Sequence, residues 1–137
     1  MKIGVVCGSF DLIHIGHINL LKKAYKHCDK LIVGVNSDNR IKAAKGHDPI
    51  QNEKDRLSII KEFKIVYDAY IIENGISLVQ KLLESGINVS EYYRGDDNRH
   101  LPEQKIENDF LKSIGIKPVY FQHTPNIHSA ILREKIK

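Results

Sequence analysis

Ile3–Val6 is a short apolar run rich in β-branched side chains, and it runs on to Gly8-Ser9-Phe10-Asp11. An apolar run of this length, bounded by turn formers, predicts a buried strand. From Gly16 to His27 the spacing changes: Ile18, Leu20, Leu21 and Ala24 share one side of a predicted amphipathic helix. Leu31–Val35 predicts a second strand, ending in the turn formers Asn36, Ser37 and Asp38. Residues 39–51 hold basic side chains and few large apolar ones, which predicts a short helix running into a loop. Asn52 predicts the N-cap of the next helix, whose apolar members include Leu57, Ile59, Ile60 and Phe63. Ala69–Ile72 predicts a third strand, and Ile76–Ser85 a helix stopped by Gly86. Glu91–Arg94 predicts a fourth strand, half exposed because Tyr92, Tyr93 and Arg94 stand where apolar residues are usual. Pro102 opens a helix through Leu111, Pro118–Phe121 is a fifth strand, and Ser129 starts a last helix.

Strands alternating with helices predict a parallel sheet covered on both faces, because parallel strands need crossover connections. Ligands of such sheets bind at the carboxyl ends of the strands, where the winding reverses. No repeat or linker divides the 137 residues, so one domain over 1–137 is expected. The apolar share of 42% and charged share of 28% are those of a globular protein. A net charge of +4 suits an anionic small molecule and is too weak to argue for nucleic acid. No apolar run reaches the roughly 20 residues of a membrane span, and the N-terminus does not read as a signal peptide, so a cytoplasmic location is expected. Cys7 and Cys28 show no metal-ligand spacing, and a reducing compartment argues against a disulfide. Cys7 reads as a small core residue.

The chemistry concentrates after the first strand, in Gly8-Ser9-Phe10-Asp11-Leu12-Ile13-His14-Ile15-Gly16-His17. A strand, a turn and a helix N-terminus present unpaired N–H groups and the positive end of a dipole, which together attract phosphate. Gly8 and Gly16 lack a Cβ and allow close backbone approach. His14 and His17, three apart, converge on one anionic group as the turn enters the helix. A zinc pair is the competing reading, but no further Cys or carboxylate has matching spacing.

Gly8-Ser9-Phe10-Asp11 followed by His14-Ile15-Gly16-His17 resembles the G-[TS]-F-D-x-x-H-x-G-H motif of cytidylyltransferase-like nucleotidyltransferases, and most of all bacterial glycerol-3-phosphate cytidylyltransferases. Val35-Asn36-Ser37-Asp38, Arg56 and Gly95-Asp96-Asp97 extend the resemblance along the chain. Class I aminoacyl-tRNA synthetases share a related fold and the tetrapeptide His-Ile-Gly-His, but no Lys-Met-Ser-Lys-Ser segment is present. Pattern and resemblance together imply a Rossmann-like, three-layer α/β/α fold with a five-stranded parallel sheet.

The resemblance implies nucleotidyl transfer: an acceptor phosphate attacks the α-phosphorus of a nucleoside triphosphate in line, and pyrophosphate leaves, with Mg²⁺ present. His14 and His17 are then the catalytic residues, stabilising charge on the triphosphate. Gly8, Ser9, Phe10, Asp11 and Gly16 belong to the nucleotide site, as does Lys45 from the basic segment. Lys42 is assigned to the acceptor phosphate, although a solvated basic helix face would look the same. Arg56 and Lys64 complete the acceptor assignments, with an internal ion pair as the other reading of Arg56. Asp96 follows the fourth strand and is placed beside the nucleotide, where a turn aspartate could equally cap backbone. Relatives close the site with Arg-Thr-x-Gly-Ile-Ser-Thr-Thr; here His123, Thr124, Ile127, His128 and Ser129 occupy that stretch. Ser129 also fits an N-cap, worth about 1 kcal/mol.

The leading expectation is CTP joined to a phosphorylated alcohol such as glycerol 3-phosphate. An adenylyltransferase using ATP on a sugar phosphate or flavin mononucleotide is the alternative, favoured by Lys45-Gly46 and by His128-Ser129. A nucleotide-binding sensor without turnover is the reading from another class, motivated by the altered C-terminal motif. A homodimer is implied by the resemblance alone, and no dedicated metal cage is visible.

Overall fold

A computed structural model describes residues 1–95 and 102–122. In chain order they form β1 (Ile3–Gly8), α1 (Ile15–Lys26), β2 (Lys30–Asn36), α2 (Asp38–Lys45), α3 (Glu53–Lys61), β3 (Val66–Ile72), α4 (Gly75–Glu84), β4 (Val89–Gly95), α5 (Pro102–Ser113) and β5 (Lys117–Phe121). The strands are all parallel and lie in the order β3-β2-β1-β4-β5. This is the three-layer, Rossmann-like α/β/α architecture expected from the pattern. The strands run one to three residues beyond their apolar cores, since polar and glycine residues join the ladder without adding an apolar signal.

Alternation of side chains along each strand splits the core in two. Val5 and Ile32 face one way, with Leu78, Leu82 and Leu111 of α4 and α5 packed on them. Val6, Leu31 and Val33 face the other way, against Leu21 of α1 and Ile60 of α3. Asn52 caps α3 as the sequence predicts, with the N–H of Asp55 donating to its Oδ1 at 2.9 Å, and Ser37, read as a turn former, caps α2, with the N–H of Arg40 donating to its Oγ at 3.0 Å. α3 stops at Lys61, so Phe63 packs on the second core from the following turn rather than from the helix. Gly46 closes α2 in the left-handed region, at φ 78°.

The fourth strand departs from expectation. Tyr92 is 4% exposed and Tyr93 fully buried, so β4 is an interior strand and not a half-exposed one. Two glycines make room for the rings: a Cβ on Gly4 would collide with the Tyr93 ring, and one on Gly75 with the Tyr92 hydroxyl. The Tyr93 hydroxyl donates to Glu91 Oε1 at 2.8 Å, which satisfies the polar end of the buried ring.

β1 is central, with β2 and β3 on one side and β4 and β5 on the other. The winding therefore reverses between β1 and β4, and a crevice opens above their carboxyl ends.

Candidate active site

Beyond Gly8 the chain turns sharply, with Phe10 and Leu12 both at positive φ, 52° and 56°. Such angles are uncommon outside glycine and persist only where surrounding contacts enforce them. Those contacts are present. The buried Asp11 carboxylate accepts from the N–H groups of Ile50 and Gln51, both at 2.9 Å, and the Leu12 N–H donates to Gln51 Oε1 at 3.0 Å. Arg56, 0% exposed, donates to the carbonyls of Ser9 (2.8 Å), Asn36 (2.6 Å) and Gln51 (2.8 Å) and to Asp38 Oδ1 (2.7 Å). One guanidinium thus ties the ends of β1 and β2 to the loop that precedes α3.

The turn delivers the two histidines to the start of α1. His14 is the N-cap; its Nδ1 accepts from the Gly16 N–H at 3.0 Å, and His17 Nδ1 accepts from the His14 N–H at 3.2 Å. Both Nδ1 atoms are thereby fixed as acceptors, so each neutral ring carries its proton on Nε2. The rings stack with centroids 3.9 Å apart, and His17 also meets the Phe10 ring at 5.5 Å. Burial holds His17 down to about 4; the charges of His14 and Lys45 push the same way, and Asp11 opposes them. His17 is therefore a neutral Nε2–H donor at physiological pH. The first turn of α1 holds no acidic residue to compete for its positive end.

A cavity of about 570 Å³ occupies the crevice. Gly8, Ser9, Phe10, His17 and Lys45 line it, as the sequence reading placed them. Arg40 and Arg94 also line it, and Glu107 is the single carboxylate among its described lining residues. This excess of cationic groups suits a polyanion. Cys7 lies in the wall, but burial pushes its thiol up to about 11, so it offers no thiolate nucleophile.

Other assignments move. Asp11 is turned away to hold the 50–51 backbone, so it positions the turn and does not line the cavity. Gly16 serves through its N–H, as the donor to His14. Arg56 has its donors committed inside the protein, so the internal ion-pair reading holds and the acceptor reading gives way. Lys42 is exposed, 4.0 Å from Asp48, and is not part of the lining. Lys64 precedes the amino-terminal end of β3, whereas the cavity lies at the carboxyl ends of the parallel strands, and its acceptor assignment is withdrawn. Asp96, His123, Thr124, Ile127, His128 and Ser129, with the helix expected from Ser129, lie outside the described residues. Sequence reasoning missed Arg40 and Arg94. The signal for Arg94 was its place at the carboxyl end of a parallel strand beside the switch point.

The described residues group no three His, Cys, Asp or Glu side chains that could hold a metal ion. Their cationic and N–H donors match phosphate oxygens and not a cation. No described helix is long and apolar enough to cross a membrane.

Similarity to known proteins extends along most of the chain. A family model described as cytidylyltransferase-like matches residues 5–135. The FAD synthase of Pyrococcus abyssi is 37% identical over 116 residues, covering 82% of this chain and 74% of that protein. The bifunctional protein HldE of Rhodopseudomonas palustris is 30% identical over 138 residues, 100% of this chain but 27% of its own length. The chain thus spans about a quarter of that relative. Among solved structures, the lipopolysaccharide core biosynthesis protein of Thermoplasma volcanium superposes with a TM-score of 0.70 at 27% identity, covering 90% of this chain and 97% of its own.

Proposed function

The chain belongs to the cytidylyltransferase-like family of nucleotidyltransferases, and from that premise we propose that it joins a nucleoside triphosphate, taken up as its Mg²⁺ complex, to a small phosphorylated acceptor, releasing pyrophosphate. The observation that carries this reading is His17, held by the His14 N–H as an Nε2–H donor at the N-terminus of α1 and lining a cationic cavity, with the ring of the N-cap His14 stacked against it. The triphosphate lies against this end, with Lys45 adding charge from α2. Charge that builds on the α-phosphate oxygens meets fixed N–H donors that need no reorganisation. The attacking oxygen belongs to the acceptor phosphate, so the protein's task is alignment and charge stabilisation.

ATP is the better-supported donor. The FAD synthase relative matches most of its length with this chain, and the name of its product implies an adenylyl group. His128-Ser129 favours the same choice. CTP with glycerol 3-phosphate, which the sequence reading put first, draws its support from Gly95-Asp96-Asp97, of which only Gly95 is among the described residues. The relatives therefore shift the preference towards ATP with flavin mononucleotide or a sugar phosphate.

The test is pyrophosphate release from Mg-ATP and Mg-CTP, each offered with flavin mononucleotide, glycerol 3-phosphate and sugar 1-phosphates. Release with ATP, lost on His17→Ala, is the expected result. Release confined to CTP reverses the choice of base. Tight nucleotide binding with no release from any pair favours a sensor without turnover and refutes the catalytic reading.

A further inference from the structure

Among the described residues three arginines stand at the carboxyl end of the sheet, and the fold uses them differently. Arg56 spends its donors on three carbonyls and Asp38. Arg94 spends one: Nη2 donates to Glu107 Oε1 at 2.8 Å. Its Nε is buried and has no hydrogen-bond partner among the described residues. Arg40 donates from Nη1 to the Glu73 carbonyl at 2.8 Å. A guanidinium offers five N–H donors in a rigid fork, so Arg94 and Arg40 hold donor capacity that the described residues do not use. A guanidinium with donors to spare at a cavity wall suits an anion that enters the cavity.

Arg94 is also held for the purpose. Its side chain is 12% exposed, and the Tyr92 ring lies 4.7 Å from its guanidinium carbon. Strand alternation puts Arg94 on the Tyr92 face, where α4 and α5 pack, whereas His17 comes from α1 on the other face. Both arginine charges are felt at the Cys7 thiol, and that of Lys45 at His17. Arg94 from β4 and Arg40 from α2 thus line the same cavity as His17 and Lys45.

We infer that Arg94 and Arg40 form a second anion subsite that receives the acceptor's phosphate group, with Glu107 as the resident carboxylate that competes with it for Arg94. This assignment rests on the nucleotidyl-transfer reading of the cavity, because that reaction brings two polyanions together. Glu107 then tunes specificity, since only a ligand that outbids a carboxylate already on the guanidinium gains the fork.

The experiment titrates inorganic phosphate by ³¹P line broadening, with and without a non-hydrolysable Mg-ATP analogue in the triphosphate site. Wild type is compared with Arg94→Gln, Arg94→Lys, Arg40→Gln and Glu107→Gln, and with Lys117→Gln at the amino-terminal end of β5, away from the cavity, as control. Circular dichroism checks that each variant folds. Arg94→Gln is expected to weaken phosphate about tenfold or more, Arg94→Lys to restore part of the loss, and Arg40→Gln to act in the same direction. The Mg-ATP analogue should keep its affinity within about threefold in these variants. Glu107→Gln is expected to tighten phosphate, which a purely structural ion pair would not do. The inference is overturned if wild type binds no phosphate, if both arginine variants leave binding unchanged, if Glu107→Gln weakens it, or if the triphosphate analogue alone loses affinity. Arginine-dependent phosphate binding without any nucleotide binding would keep the anion subsite and remove the nucleotidyl-transfer reading.

Discussion

Arg56→Ala is the substitution that most directly separates an internal tie from a ligand contact. Truncation removes a side chain that is 0% exposed and leaves the carbonyls of Ser9, Asn36 and Gln51 without their donor. An unsatisfied buried acceptor costs about 1–3 kcal/mol, and water entering the vacated space holds each carbonyl near the lower end. The lost ion pair adds little, because the Asp38 side chain is 38% exposed and solvent screens it. The sum is about 3–5 kcal/mol, a large part of the roughly 5–15 kcal/mol that stabilises a domain. Urea unfolding followed by circular dichroism measures it, and the midpoint should fall with little change in slope. Arg56→Lys should recover only part, since one ammonium cannot reach four acceptors spread over three chain segments. A loss below about 1 kcal/mol on Arg56→Ala, with a raised KM for the acceptor, would refute the reasoning and return Arg56 to the acceptor site.

Four further outcomes follow from the same structure. His17→Ala should lower kcat by about 10²–10³, as expected for loss of a transition-state donor, and the His14 N–H it leaves unpaired should cost about 1 kcal/mol in urea unfolding; equal rates would remove His17 from the chemistry. Because the folded His17 is held at about 4 against an ordinary 6.5, the unfolded chain binds the extra proton between those values. Stability should therefore fall as pH drops from 6.5 towards 4, by at most about 3 kcal/mol, and His17→Gln should flatten that part of the profile. Asp11→Ala frees the Ile50 and Gln51 N–H groups and should cost about 2–3 kcal/mol in urea unfolding, with faster amide exchange confined first to residues near 50. Gly75→Ala drives a methyl into the Tyr92 hydroxyl and should destabilise by about 1–3 kcal/mol, a cost that Gly75→Ala combined with Tyr92→Phe should partly remove.

The alternation of short apolar runs and amphipathic stretches was enough to locate five strands and their helices, because periods of 2.0 and 3.6 are local properties of the chain. The Asn52 cap was legible for the same reason: it sits three residues from the N–H group it accepts from. Tyr92 and Tyr93 were misread because polar-tipped rings suggest solvent. Their burial depends on two glycines distant in sequence, Gly75 and Gly4, and on Glu91 taking the Tyr93 hydroxyl. Lys64 was misassigned because its charge says nothing about which end of a strand it stands beside.

The sequence by itself determined the layered parallel fold, the location of the crevice and the His14–His17 pair, all of which arise from spacings of a few residues. The tertiary structure decided what each charge does. Arg56 meets Ser9 across 47 positions and Asn36 across 20, and those carbonyls use up its donors. Among the described residues Arg94 meets the Glu107 carboxylate and the Tyr92 ring, and its Nε has no hydrogen-bond partner. A sequence records where the donors are, but whether they are spent depends on which acceptors the fold brings within about 3 Å, and that is settled only when distant segments pack.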